Sequence, residues 1–225
     1  MHQLDWTHRY NQCNYQFVKN IIVPYFETPL DYANGIEIND FTYPWKEDSP
    51  PSTILHVYHD KKFLHFRFTA FGPPPLVYVK DNHKLEVIHS ERIEIFFKQD
   101  DELNPYYCFE IDPHGRVLDY QAHHYRDFNR DWKWPGDLNI KTEILADRYL
   151  VSGQFKLSIL SGLGLFKGDK LQVGLYRGHC TSLVGTDMNI QWISWVDPQT
   201  EEPDFHVPSS FGRFELEDPT NLYSP

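Results

Sequence analysis

TILHVYHDKKFLHFRFTAF, residues 53–71, alternates apolar and polar side chains on both sides of a polar turn. If the turn spans Asp60–Phe63, Leu55 faces Phe68 and Val57 faces Phe66 on one apolar face. The opposite face then carries the remaining alternate side chains: His56, Tyr58, His65 and Arg67. Because the turn and the alternation agree, this stretch predicts an antiparallel hairpin with one face buried.

Further strands are predicted along the chain. ERIEIFFK (91–98) and YYCFEID (106–112) form a pair followed by the turn Asp112–Gly115, and residues 138–159 form another pair around Ala146–Arg148. KLQVGLYRGH (170–179), NIQWISWV (189–196) and GRFELE (212–217) complete the count. Only LSILSGLGLFKG (157–168) could hold a helical turn, which its glycines keep short. The pattern predicts an all-β, antiparallel β-sandwich that is jelly-roll-like.

Length and charge bound the domain organisation and the partners. The 225 residues suit one core, so we expect a single domain over 1–225 in which 1–35 form an extended lead-in. A net charge of −11 argues against nucleic acid as a partner because the phosphate backbone would be repelled. Aromatic residues make up 16%, an excess that suits both sheets and ligand binding. The oligomeric state cannot be predicted from these features.

No segment predicts a membrane span, and the localisation stays open. FVKNIIVPYF (17–26) is short and is broken by Pro24, and the first residues lack the apolar core of a secretory signal. Taken literally, the chain would be cytoplasmic. It would be extracytoplasmic if a leader had been removed.

The cysteines and histidines give no metal-binding pattern. Cys13, Cys108 and Cys180 are far apart in the sequence and form no CxxC pair, and Cys108 is predicted to be a buried apolar thiol within a strand. We expect no cofactor. A structural calcium ion in KQDDELNP (98–105) or near Asp112 is compatible with the sequence, although no EF-hand pattern supports it.

Two glutamates are the first candidate site residues. If Ile93 faces Ile111, the same register sets Glu94 opposite Glu110, with Cβ atoms about 5 Å apart. Such carboxylates repel unless a proton or a cation intervenes, and Arg92 and Arg177 could neutralise them as a structural ion network. Alternatively, they form a floor that accepts hydrogen bonds from sugar hydroxyls. Their spacing would also suit a retaining glycosidase.

The tryptophans are the second group of candidates. Trp192 and Trp195 point to opposite faces of NIQWISWV, so one is predicted to be buried and the other presented. We expect Trp195 to be the presented one, because the strand gives way there to an acidic loop. Trp132 and Trp134, in RDWKWPG, are interpreted either as aromatic cover over a sheet edge or as ligand contacts.

These segments follow one another in the order seen in family 9 carbohydrate-binding modules, which the chain resembles. The segments are HVYHDKKFLHFRF (56–68), SERIEIFFKQDDELNPYYCFEIDPHGRVLD (90–119), YLVSGQFKLSIL (149–160), LYRG (175–178) and WISWVDP followed by DFHVPSSFGRFEL (192–216). The resemblance spans roughly residues 36–216. It implies a jelly-roll-like sandwich that binds sugars without catalysis, commonly between two tryptophans.

Carried onto this chain, the resemblance matches Trp195 to one of those tryptophans and Glu94 to an acidic contact. The resemblance implies the other tryptophan a few residues before Glu94, but Ile88 and His89 occupy that region, and Glu110 takes the place of a basic residue. The predicted function is non-catalytic binding of a mono- or oligosaccharide, and the predicted contacts are Trp195, Glu94, Glu110, Arg177 and Trp134. The alternatives are a glycoside hydrolase that uses Glu94 and Glu110, and a protein-interaction sandwich whose sugar site has decayed.

Overall fold

The computed structural model describes residues 19–28 and 31–218, which form two β-sheets. The strands are β1 Asn20–Val23, β2 Ile36–Ile38, β3 Thr53–His59, β4 Phe63–Phe71, β5 Arg92–Lys98, β6 Tyr106–Ile111, β7 Val117–His123, β8 Asp127–Asn129, β9 Lys141–Ile144, β10 Arg148–Lys156, β11 Phe166–Lys167, β12 Lys170–Val184, β13 Asp187–Ser194 and β14 Gly212–Leu216. One α-helix, α1, spans Leu157–Gly162, and 3₁₀ turns span Tyr32–Asn34, Lys84–His89 and Pro208–Ser210.

The smaller sheet contains five strands in the order β2-β3-β4-β10-β9. Its central hairpin has the predicted register, with Leu55 opposite Phe68 and Val57 opposite Phe66. The hairpin of β9 and β10 also forms where the sequence predicts it. Local turns and strict alternation therefore determine this half of the fold.

The larger sheet contains nine strands, in the order β1-β14-β12-β5-β6-β7-β8, with β11 and β13 also paired to β12. All of its pairings are antiparallel except that of β1 with β14. The predicted register of β5 with β6 is confirmed, because Ile93, Ile95 and Phe97 lie opposite Ile111, Phe109 and Tyr107. The all-β sandwich is therefore confirmed, and its main core lies between the two sheets.

A second apolar cluster covers the other face of the larger sheet. Phe96, Tyr106, Cys108 and Tyr176 point to this outer face and pack under Phe205 and Phe211, among others, from the segment that follows β13. Strands β5 and β6 are buried at every position as a result. The sequence does not predict this second layer, because alternation alone suggested a polar outer face.

The remaining predictions about composition and elements have clear outcomes. The helical turn forms and is short, as its glycines predict. Cys108 is buried within β6 and is a free thiol, as is Cys180, whereas Cys13 lies outside the described residues. Among residues 19–28 and 31–218, no helix is long and apolar enough to cross a membrane.

Candidate functional site

Strand register places the candidate site on the outer face of the larger sheet. Glu94 of β5 lies opposite Glu110 on one side, as predicted, and opposite Tyr176 of β12 on the other. One step along the sheet, Gly178 lies opposite both Arg92 and Trp192. A Cβ at Gly178 would lie 3.3 Å from the Trp192 ring, so the missing side chain gives the indole room to approach the sheet.

Arg92 bridges the two glutamates. Its Nε donates to Glu94 Oε1 at 2.9 Å and lies 2.7 Å from Glu110 Oε2, while Nη1 donates to the carbonyls of Ile88 and Ser90, each at 3.2 Å. The guanidinium also lies over the Trp192 ring, 5.1 Å from its centroid. The interpretation of Arg92 as the neutralising cation therefore agrees with the structure.

The second glutamate retains acceptor capacity. Glu110 Oε1 accepts a hydrogen bond from the Tyr120 hydroxyl at 2.9 Å. Its Oε2 is close enough to Arg92 for an ion pair, but no donor among the described residues is aligned on it for a hydrogen bond. Glu110 is 6% exposed and Glu94 is 3% exposed, so both carboxyl groups form the base of the site.

Burial changes the protonation of Glu94. Desolvation and the nearby Glu110 carboxylate raise the pKa of Glu94 from 4.5 to about 8, against the opposing effect of Arg92. At neutral pH, Glu94 is therefore mostly protonated. Glu94 can therefore act as a hydrogen-bond donor as well as an acceptor.

A cavity of about 180 Å³ opens above these groups. Its lining combines charged, aromatic and loop residues: Arg92, Glu94, Glu110, Tyr120, Arg126, Phe128, Arg130, Trp192, Pro203, Asp204, Phe205 and His206. The cavity therefore joins a charged base to an aromatic wall. Strands β5, β6, β7, β8 and β13 contribute to it, together with the loop after β13.

The rim is fixed by a loop carboxylate. Asp204 accepts hydrogen bonds from the Arg126 guanidinium at 2.8 Å and from the Tyr125 hydroxyl at 2.7 Å.

His206 belongs to the wall of the cavity. Its Nδ1 atom lies 2.9 Å from the Tyr106 hydroxyl. Burial, aided by the charge of Arg126, lowers the pKa of His206 to about 4. His206 is therefore neutral at physiological pH, so it serves as a packing and hydrogen-bonding group of the wall.

The prediction that Trp195 is the presented tryptophan is wrong. Trp195 is 1% exposed and lies in the main core, where its ring packs 5.9 Å from that of Phe214 and against Gly212. Ile193, two residues before Trp195 at the end of β13, also points into the sandwich. One tryptophan of the pair is buried and the other borders the cavity, as expected, but the outward one is Trp192.

Arg177 was predicted to contact a sugar, and the structure places it elsewhere. It is 1% exposed and lies opposite Ile93 and Ile193 on the inner face of β12, whereas Glu94 and Glu110 lie on the outer face. Its Nε donates to Glu91 at 2.7 Å. The side chain is thus part of a structural ion pair within the sandwich.

Trp134 is also not a cavity residue. It is 7% exposed and packs in the main core, 5.4 Å from Phe109 and 5.5 Å from Phe155. Trp132 packs next to it on Tyr107 at 5.0 Å. Trp134 is thus a member of the main core and Trp132 packs against that core, and neither lines the cavity.

Sequence reasoning missed most of the cavity wall. Trp192 was considered and assigned to the core, while Tyr120, Phe128, Asp204 and His206 were not identified. The sequence could have shown that Trp192 faces outward. Trp195 lies on the same side of the strand as the apolar Ile193, so Trp195 is the one expected in the core. The loop residues had no such signal, since only the tertiary fold brings them over the sheet.

A second cavity, of about 380 Å³, also has Trp192 in its lining. It shares Trp192 and Pro203 with the first cavity, and its other lining residues are Tyr43, Trp45, Lys46, Ile190, Gln191, Glu201 and Glu202. Two tryptophans, Trp45 and Trp192, therefore border this cavity. Trp45 lies far before the strands of the predicted site in the sequence.

The acidic groups considered for calcium are engaged with the protein itself. Asp101 binds the Lys98 ammonium at 2.8 Å, and Asp112 binds the Arg116 guanidinium at 2.7 Å. In the described part of the chain, no group of three or more His, Cys, Asp or Glu side chains is arranged to hold a metal ion.

Solved structures with the same fold identify its class. A candidate carbohydrate-binding protein from Bacteroides uniformis ATCC 8492 superposes with a TM-score of 0.62 at 16% identity, covering 89% of this chain and 100% of the other. A family 9 carbohydrate-binding module from Caldicellulosiruptor kristjanssonii in complex with glucose gives 0.55 at 14% identity, covering 92% and 100%. A family 9 module from the same organism in complex with cellotriose gives 0.57 at 13% identity, covering 92% and 98%.

No family model and no curated protein matches the sequence. The likeness therefore rests on the arrangement of the strands, and it confirms the resemblance predicted from the sequence at the level of the fold. The chain has the antiparallel β-sandwich fold of the family 9 carbohydrate-binding modules.

Proposed function

We propose that the protein binds carbohydrate, without catalysis, in the cavity between Trp192 and the Glu94–Glu110 pair. The observation that carries the proposal is the meeting of an indole, two carboxyl groups and a guanidinium in one open cavity. Sugars combine apolar C–H faces with hydroxyl groups, so they require an aromatic surface next to charged hydrogen-bonding groups. In the solved structures with this fold, two family 9 modules are in complex with glucose and cellotriose, which supports the same ligand class.

Each side chain has a defined role in this proposal. Trp192 offers the indole surface that Arg92 does not cover, and a sugar ring packs against it. Glu110 accepts a hydroxyl hydrogen bond, and Glu94, protonated at neutral pH, donates one or accepts one. With few contacts of this kind, we expect a dissociation constant of about 1 µM to 1 mM.

The test is a broad glycan array followed by calorimetry on the sugars that bind. Trp192→Ala should abolish binding or weaken it at least about 10-fold, because it removes the aromatic wall. Trp132→Ala is the matched control, since Trp132 contributes to neither cavity, and it should leave affinity unchanged. If no glycan binds the native protein, the proposal fails and a protein-interaction role takes its place.

One observation favours a second candidate, a glycoside hydrolase. Glu94 has the raised pKa of a general acid, and Glu110 lies directly opposite it on the neighbouring strand. Binding remains the better proposal because both carboxyl groups are almost fully buried and already share Arg92. Release of nitrophenol from aryl glycosides by the native protein, and its loss in Glu94→Gln, would establish hydrolysis.

A further inference from the structure

Strand β8 and the residues on either side of it bring two arginines to the first cavity. Alternate residues of this segment, Arg126, Phe128 and Arg130, line the cavity, whereas Asp127 and Asn129 between them do not. Both arginines are exposed. The segment therefore adds two solvent-accessible guanidinium groups to a cavity whose base already contains one.

The two arginines differ in how far their charges are already engaged. Arg126 donates to the Asp204 carboxylate at 2.8 Å and to the Tyr125 hydroxyl at 3.1 Å. Arg130 forms no ion pair with any residue in 19–28 or 31–218, and its guanidinium lies 5.4 Å from the centroid of the Phe128 ring. Guanidinium groups bind carboxylates and similar oxyanions through two parallel N–H donors. Arg130 is therefore the cation of this cavity that is available to a ligand.

The balance of charge in the cavity also favours an anion. Three guanidinium groups and three carboxyl groups line it. The raised pKa of Glu94 keeps that carboxyl group mostly protonated at neutral pH, so the guanidinium groups outnumber the carboxylates. The excess of positive charge is local, because the whole protein has a net charge of −11, and a field of that sign repels anions.

The two arginines can also be reached from outside the cavity. They line a separate, open depression of about 480 Å³, whose other lining residues are Phe128, Asn129 and Asp131. Asp131 places one carboxylate near the arginines, which limits the attraction for an anion. A charged group that contacts Arg130 can therefore remain partly hydrated, so the cost of removing it from water is small.

We propose that the first cavity selects sugars that carry an anionic group, a carboxylate or a sulfate ester, and that Arg130 binds this group. The inference rests on the proposed function, in which the ring packs against Trp192 and its hydroxyls bind Glu94 and Glu110. Arg130 adds a charged contact that a neutral sugar cannot use. It is therefore the residue that determines specificity between an acidic sugar and its neutral parent.

The experiment compares sugars that differ only in the anionic group. Glucose, glucuronic acid and glucose 6-sulfate, and galactose, galacturonic acid and galactose 6-sulfate, are titrated by calorimetry into the native protein and Arg130→Gln at neutral pH and low salt. At least one acidic sugar should bind the native protein about 3- to 10-fold more tightly than its neutral parent, as expected for one charge-assisted contact. Arg130→Gln should remove this preference or reverse it, because only the repulsive field of the protein then acts on the anion.

Two further variants separate a local contact from a change in net charge. Arg148→Gln removes the same charge from β10 in the other sheet and should leave the preference at its native value. Arg130→Lys keeps the charge without the planar pair of donors and should retain part of the preference. Because Arg130 is exposed, Arg130→Gln should unfold at the native temperature, and a high salt concentration should reduce the preference of the native protein.

The outcomes distinguish this inference from the proposed function. Binding of neutral sugars with equal or weaker binding of every acidic one overturns the inference and leaves the proposed function intact. A preference for acidic sugars that survives in Arg130→Gln also overturns it, because the anionic group then lies elsewhere. No binding of any of these sugars, together with no binding on the glycan array, overturns the proposed function and the inference with it. Whether the carboxylate or the sulfate gives the larger preference identifies the anionic group.

Discussion

Glu94 and Glu110 lie directly opposite each other on neighbouring strands, and one guanidinium, that of Arg92, serves both. Removing either acid would leave a simple ion pair, and removing the arginine would leave two buried carboxyl groups together. A change in the charge of any of these three side chains should therefore change the free energy of unfolding, which can be measured.

Replacement of Arg92 by methionine should destabilise the protein by about 3–5 kcal/mol at pH 7, because the buried carboxyl groups lose their cation. Urea unfolding measures this change. The loss should be smaller in the double variant Arg92→Met/Glu110→Gln, which also removes one of the two buried carboxyl groups. Arg148→Met, which removes an exposed pair with Asp147, is the control and should cost less than about 1 kcal/mol. Equal losses for the two arginines would contradict the role of Arg92.

The raised pKa of Glu94 predicts a specific dependence of stability on pH. Below pH 4.5 the Glu94 carboxyl group is protonated in both the folded and the unfolded protein. The contribution of its raised pKa to the free energy of unfolding is therefore fully present there. Between pH 4.5 and about 8 the unfolded chain releases this proton while the folded protein keeps it, so stability is lost as the pH rises. Glu94→Gln cannot ionise and removes this dependence.

The difference in unfolding free energy between the native protein and Glu94→Gln isolates this group, since other titrating groups largely cancel. From pH 5 to pH 8 the native protein should lose roughly 1 kcal/mol per pH unit relative to the variant. A difference that is constant with pH would mean that Glu94 ionises normally in the folded state.

The parts of the fold that the sequence predicted are those fixed by neighbouring residues. The registers of β3 with β4 and of β5 with β6 follow from tight turns and alternation, and they set Glu94 opposite Glu110 correctly. The second apolar layer could not be predicted in this way. Phe205 and Phe211 come from a loop, and only the tertiary structure brings them over the outer face.

The errors in the predicted site have a common physical origin. A strand pattern gives two faces but does not say which one enters the core. In β12, Val173 and Leu175 share a face with Arg177 and pack into the core, so Arg177 enters the sandwich with them. The same reasoning applied to Ile193 would have placed Trp195 inside. Trp45 had no signal at all, because it lies in an irregular segment before β3.

Trp192 and Trp195 should respond oppositely to replacement by alanine. Trp195→Ala should cost about 3–5 kcal/mol of stability, because it empties a well-packed core site beside Phe214. Trp192→Ala should cost about 1–2 kcal/mol, since the ring is only partly buried, and should abolish sugar binding. Thermal unfolding and calorimetry on the same samples measure both effects. If Trp195→Ala folds stably and loses sugar affinity while Trp192→Ala retains it, the assignment of the two indoles is wrong.

The network around Arg177 predicts a structural effect without a binding effect. Glu91 accepts hydrogen bonds from Arg177 at 2.7 Å, from His179 at 3.1 Å and from the Cys180 amide at 2.5 Å, so one carboxylate joins β12 to the segment before β5. Arg177→Met should leave Glu91 without its strongest partner and cost about 3–5 kcal/mol in urea unfolding.

Sugar affinity in Arg177→Met, measured well below its unfolding transition, should equal that of the native protein, because Arg177 of β12 and Glu94 of β5 lie on opposite faces of the larger sheet. Gln172→Met on the same strand is the control for the added apolar side chain and should leave both quantities close to native. Loss of sugar affinity in folded Arg177→Met would return Arg177 to the binding site, where the sequence alone had placed it.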